Sequence, residues 1–399
     1  MTGFLIHPLD PLVFGSGRPF TSVPGSRVTS RSLPPPSTLA GAVRTEAGRD
    51  ANGRFDISQI ETLLAEAVYG PLLAVDADSP ELALPSPADA IRLRGDVSEE
   101  HLLRRRVPLE LSDGDYVSTH HLAPVGSVIT DDRKEVKSPP AFWTQRDLLS
   151  WLVDPPPPVE TRPLSEHWGI SGPDAEVRIH VRVDRRSNLA DEGGLFSTEG
   201  RRFVGRRHGE LVALAMYGET TADLPLPSHA VIGGEGRLSR LASCDRLVPE
   251  IPKVIVDSAR NGFVRAYLAT PLPLEDGTWQ PTGVARIVGQ AHGPPVVISG
   301  WSMAPLTRTF GYEAARNSTA RSESPDRPQG GPKPVRRLFP AGSVFFLELS
   351  GSEDARESFV RDRWGASLLE GQDARDGFGL TLFGTWSGNC HPLALEDSP

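Results

Sequence analysis

The chain has 399 residues, a formal net charge of −9, 38% hydrophobic residues, 38 prolines and 39 glycines. That is enough apolar material for about two globular units and excludes a disordered chain, while the acidic balance argues against indiscriminate coating of nucleic acid. Cys244 and Cys390 are the only cysteines and belong to no Cys/His ligand pattern, which argues against a disulfide framework or a structural zinc site.

Residues 4–12 read as an apolar strand running into Pro and Leu punctuation. A polar loop carrying Arg18 follows. Pro34, Pro35 and Pro36 then lock φ ahead of Ser37, the expected N-cap of a helix with Leu39, Ala42, Val43 and Ala47 on its apolar face. Free amides at that terminus, with Ser37, Thr38, Arg18 and Arg44 around them, suit a phosphate, and a capped helix with solvated arginines fits the same residues. Ser58 and Glu61 form a capping-box pattern for a second helix, with Leu63, Leu64, Ala67 and Val68 inward and Gly70 at its end. Residues 91–93 and 107–117 have strand character, and 144–153 reads as a helix stopped by the prolines at 155–158.

Residues 233–241 form a glycine turn running into a strand. Gly233, Gly234 and Gly236 let a backbone or ligand come close, and Arg237 can pair with a phosphate; a plain tight turn accounts for the same residues. Past a boundary near 249–252, residues 263–274 echo 4–12, and 377–386, with Gly377 and Gly379, echo 233–241. The echoes suggest a duplication, with units at 1–250 and 251–399. Residues 355–369 are helical in pattern, with Phe359, Val360, Leu368 and Leu369 inward, and helices alternating with strands predict mixed α/β layers.

Residues 376–383 overlap the aromatic-glycine signature of RNA recognition motifs. Asp376 and Leu380 depart from it, so Phe378 and Phe383 are assigned to the core and the glycines to a backbone-contact loop. Basic residues cluster at Arg104 to Arg106, at Arg201, Arg202, Arg206, Arg207 and His208, and in a net-positive, flexible insertion 305–337 that holds Arg316, Arg336 and Arg337. Neither glycine turn is a phosphate-cradling Walker loop or a dinucleotide fingerprint. His7, His120, His121 and His208 have no recognisable catalytic partner, and no metal site is assigned. No leader pattern occupies residues 1–11 and no apolar run is long enough for a membrane helix, so a cytoplasmic protein without a membrane partner is expected.

Arg18, Pro19 and Phe20, followed by the Ser-Thr-Leu-Ala-Gly helix start at 37–41 behind its prolines, resemble the opening of the third subunit of type III-B CRISPR effector complexes, the Cmr complex, within the RAMP superfamily of repeat-associated RNA-binding proteins. Residues 70–73, 85–90, 193–196, 233–237, 299–301 and 340–347 look like further landmarks in family order. The resemblance implies two ferredoxin-like βαββαβ units related to the RNA recognition motif. It also implies a non-catalytic subunit, without cofactor, that holds the 5′ repeat-derived tag of the guide RNA. Its implied partners are that guide RNA, the large palm-containing, polymerase-like subunit and the backbone RAMP subunit, with target RNA contacted indirectly. On this reading Arg18, Ser37, Thr38, Arg44, Gly233, Gly234, Gly236, Arg237, Arg316, Arg336, Arg337, Gly377 and Gly379 contact RNA. A metal-independent RAMP endoribonuclease and a protein-only scaffold are the competing readings.

Overall fold

The computed structural model describes residues 1–15, 27–76, 78–95, 100–110, 122–128, 133–136, 140–153, 162–165, 167–184, 186–274, 279, 281, 283–302 and 331–392. In chain order, β1 is Thr2–Pro8, α1 Pro36–Ala47, α2 Ile60–Ala65, β2 Val68–Val75, β3 Glu81–Pro85, β4 Phe142–Thr144 and α3 Gln145–Val153. A long ribbon, β5 Asp174–Val183 and β6 Ala190–Arg202, precedes β7 Val204–Arg207, β8 Glu210–Thr220, β9 Ser228–Val231 and β10 Leu238–Cys244. The remainder supplies α4 Lys253–Arg260, β11 Phe263–Leu268, β12 Ala285–Ala291, β13 Val296–Ser302, β14 Gly331–Phe339, β15 Val344–Leu349, α5 Glu353–Arg363, α6 Gly371–Arg375 and β16 Thr381–Thr385.

The first large sheet runs β9-β10-β1-β8-β2-β3-β4, with β7 paired to the start of β8. The second runs β12-β15-β11-β16. In the first, β1, β2, β8 and β10 stand in the spatial order fourth, first, third, second. The second repeats that order with β11, β12, β15 and β16, and every pairing in both sets is antiparallel. The echoing segments therefore occupy equivalent places: β1 and β11 are the central first strands, and each glycine turn leads into the fourth.

The crossovers differ from a full βαββαβ pattern. In the first set α1 joins the first and second strands, while the third and fourth are joined through residues 221–237, which hold Pro225 and Pro227 and no α-helix. In the second set α5 and α6 join the third and fourth strands. No α-helix occurs among the described residues between β11 and β12, where Pro271 and Pro273 deny the backbone its donors. Helix α4, which enters β11, packs instead against α5, β11 and β16.

Alternation along the strands sorts the core. Phe4 and Ile6 point with Leu73 and Met216 to α1, through Leu39 and Val43. Leu5, Leu72 and Tyr217 point to the opposite face and join Val264, Phe345 and Phe383 of the second sheet in one cluster. The two sheets are thus welded through a common core rather than linked as beads.

Three local expectations change. Helix α2 ends at Ala65, and Gly70 lies inside β2 rather than at a helix end. Asp56, not Ser58, caps the short turn before α2 by accepting from Ser58 N. Ser352 caps α5 and the helix stops at Arg363, so Leu368 reaches the core from an irregular segment.

Candidate nucleic-acid interface

The turn between β9 and β10 is the more open of the two echoing glycine turns. Residues 233–236 are all exposed, with left-handed backbone at Gly233 (φ 78°), Glu235 (φ 62°) and Gly236 (φ 64°). Gly234 N donates to Val13 O at 2.8 Å, and a Cβ on Gly233 would sit 2.7 Å from that same oxygen. Glycine is required there by the close approach of the two backbones. A Cβ on Gly236 would meet nothing within 4 Å, so its face is open to a ligand. Arg237 pairs with Glu235 at 2.7 Å, which partly neutralises the one cation of the turn.

Residues 12–15 bring further cations to the turn. Leu12 and Arg201 exchange backbone hydrogen bonds of 3.0 and 2.7 Å, and Phe14 is tied to Ser30 Oγ and to Arg31 N. The Arg201 guanidinium donates to Ser30 O and to one oxygen of Glu199, while Arg27 holds the other oxygen at 3.0 Å. Glu199, nearly sealed from solvent, is the hub of that cluster. Arg31 donates to Val297 O on β13, and burial lowers its pKa from the ordinary guanidinium value. Sequence reasoning noticed Arg201 but missed Glu199; its alternation with Arg201 along one strand face was the available signal.

Several residues assigned to RNA have other places. Pro35, not Ser37, occupies the N-cap of α1, and no side chain caps the helix. Pro36 has no N–H and Thr38 N donates to Pro35 O at 2.9 Å, so Ser37 retains one free amide of the first turn. The proline lock that starts the helix also removes donors an anion would use. Ser37 and Thr38 are half-buried on that turn.

Arg44 is a structural tie. Its guanidinium is buried, donates to Glu66 O and Arg375 O, and lies 2.5 Å from Asp376 Oδ1. Gly377 and Gly379 are buried as well: a Cβ on Gly377 would be 2.6 Å from Val68 O and 2.8 Å from Gly70 O, and one on Gly379 would press on Leu272. A missing Cβ that reads in sequence as room for a ligand is here room for another stretch of the same chain. Phe378 and Phe383 are buried in the core.

Arg336 and Arg337 sit on β14 opposite Ile298 and Val297, in regular pairing rather than in a flexible insertion. Arg336 grips both oxygens of Asp373 at 2.8 and 2.6 Å and overlies Phe378; Arg337 is exposed. Arg104 and Arg105 are buried, with Arg105 stacked on Trp151. Arg18 and Arg316, with His120 and His121, lie outside the described residues. His7 Nδ1 lies 3.0 Å from Asp76 Oδ2. Among the described residues no group of three His, Cys, Asp or Glu could hold a metal ion, and no helix is long and apolar enough to cross a membrane.

A family model described as CRISPR-associated protein (Cas_Cmr3) matches residues 4–386. No curated protein matches the chain. Among solved structures, a chain of "Cryo-EM structure of the Type III-B Cmr-beta bound to cognate target RNA" is 15% identical with a TM-score of 0.43, over 86% of each chain. A chain of "Crystal structure of Csm3-Csm4 subcomplex in the type III-A CRISPR-Cas interference complex" is 10% identical with a TM-score of 0.32, over 88% of this chain and 94% of that one. Likenesses of this size carry no weight for function.

Proposed function

The chain belongs to the Cas_Cmr3 family of CRISPR-associated proteins, and on that premise we propose that it is a non-catalytic RNA-binding subunit of a type III-B effector complex. In this reading its two fourth-first-third-second strand sets are ferredoxin-like units within residues 1–250 and 251–399. The chain holds the 5′ repeat-derived tag of the guide RNA and bridges the large polymerase-like subunit to the backbone subunits. The observation that supports a grip on RNA is the exposed turn at 233–236, docked on residues 12–15 beside Arg27, Arg31 and Arg201. Phosphate oxygens accept from guanidinium groups without any demand on base identity. Glu235 favours a seated ligand that displaces it from Arg237 over loose coating by any polyanion.

Crosslinking of guide RNA within the assembled complex tests the reading: tag nucleotides should yield adducts at the turn, and Arg237→Gln should weaken tag retention and reduce its salt slope by about 0.7. A complex whose tag gives no adduct on this chain would leave it a protein-only scaffold. Specific cleavage of repeat RNA by the purified chain without metal, abolished by His7→Ala, would replace the proposal with the endoribonuclease.

A further inference from the structure

Three adjacent strands of the first sheet carry a row of nitrogen-bearing side chains beyond the glycine turn. In the β1–β10 ladder His7 lies directly opposite Arg240, and in the β9–β10 ladder His229 lies directly opposite the same Arg240. Residues directly opposed in antiparallel strands project on one face, so the Arg240 side chain leaves the sheet between those of the two histidines. His229 and Arg240 are exposed, and the His7 side chain is 17% accessible. Arg240 forms no ion pair among the described residues, in contrast to Arg27, Arg44, Arg201 and Arg237. Asp76 Oδ2 lies 3.0 Å from His7 Nδ1, a contact that orients the ring and leaves Nε2 as its other polar atom.

The row continues from the glycine turn. Two rungs lie between the turn and the row. Ala230 and Ser239 project on the other face, and the rung on the same face is Val231 opposite Leu238, with Leu9 N donating to Leu238 O. These three apolar side chains are 50%, 40% and 57% accessible, an apolar step on an otherwise polar edge. Two residues along a strand span about 7 Å, so turn, apolar rung and cationic row form a continuous strip.

We infer that His7, Arg240 and His229 form a second phosphodiester site, and that single-stranded RNA leaving the turn lays a base against Leu9, Val231 and Leu238 before its next phosphate reaches Arg240. Single strands suit this strip because they offer an accessible base between charges, and apolar or imidazole surfaces accept any base face. The inference rests on the RNA-binding reading above and extends it to residues outside the turn.

The test is titration of the full chain with a labelled single-stranded RNA of about 12 nucleotides across a range of salt, for wild type, Arg237→Gln, Arg240→Gln and His229→Gln. Arg240→Gln should weaken binding about three- to tenfold at low salt and lower the salt slope by about 0.7, with an unchanged melting temperature because the side chain is exposed. His229→Gln should weaken binding less. Loss with Arg237→Gln but not with Arg240→Gln would overturn the second site and leave the turn reading intact. Loss with Arg240→Gln but not with Arg237→Gln would support the second site and remove the turn. No binding by wild type would sink both. An Arg240→Gln chain that binds RNA normally but assembles poorly with its partners would make the row a protein contact and overturn the inference.

Discussion

Asp89 and Arg265, 176 positions apart, form an ion pair of 2.5 Å with neither side chain accessible to solvent. Asp89 also accepts from Trp151 Nε1 at 2.9 Å, and Arg265 donates to Trp151 O and Thr385 O, both at 2.9 Å. The pair thus joins the segment after β3, the end of α3 and the central strand of the second sheet at one point. A pair so placed contributes little net stability relative to apolar residues, but either member left alone is an uncompensated buried charge.

Asp89→Ala or Arg265→Met should therefore destabilise the chain by about 3–5 kcal/mol in denaturant unfolding. The double variant should lose less than the sum of the two. Additive losses would mean that the two side chains are not coupled.

Arg44→Ala should lower stability by about 2 kcal/mol, tempered because Gln372 also donates to Asp376 Oδ1 at 2.8 Å. RNA affinity should not change in conditions where the variant is folded, since the guanidinium is committed to protein acceptors. A reduced salt slope in the folded variant would return Arg44 to the RNA surface.

The two glycine turns should respond differently to alanine. Gly377→Ala places a methyl against Val68 O at positive φ and should cost about 3 kcal/mol or more. Gly236→Ala meets only the backbone penalty, about 1 kcal/mol, in thermal unfolding. Equal losses would contradict the assignment of one turn to packing and the other to an open face.

Burial pushes the Cys244 thiol above its ordinary pKa, aided by Asp245, and does the same at Cys390, aided by Glu110. A raised pKa leaves less thiolate at neutral pH. Alkylation of the native chain should therefore be slower than that of a free cysteine peptide near pH 7.5 and should accelerate only at a higher pH than the peptide's does. Fast labelling at neutral pH would contradict the burial of both thiols.

Local chemistry accounts for the parts that were legible in the chain. Pro34 to Pro36 start α1 within a residue of the expected place, and the apolar spacing of α3 and the first half of α5 matches their helices. The repeated first strands and the two glycine turns, which stand at equivalent positions of two sheets, were also visible as echoes. These features depend on neighbours within a few residues, where φ restriction and apolar periodicity act.

The fate of individual glycines and arginines depended instead on segments far away in sequence. Gly377 and Gly236 look alike along the chain, yet one faces the backbone of Val68 and the other faces open space. Arg44 and Arg240 are both basic residues on regular elements, yet Asp376 claims the first from 332 positions away, while the second lies opposite a histidine on each neighbouring strand of a sheet. An arginine's charge and a glycine's missing Cβ are properties of the sequence. Whether they serve packing or a ligand is settled by which partner the folded core brings within a few ångströms, because the same hydrogen-bonding capacity and the same empty space satisfy either one.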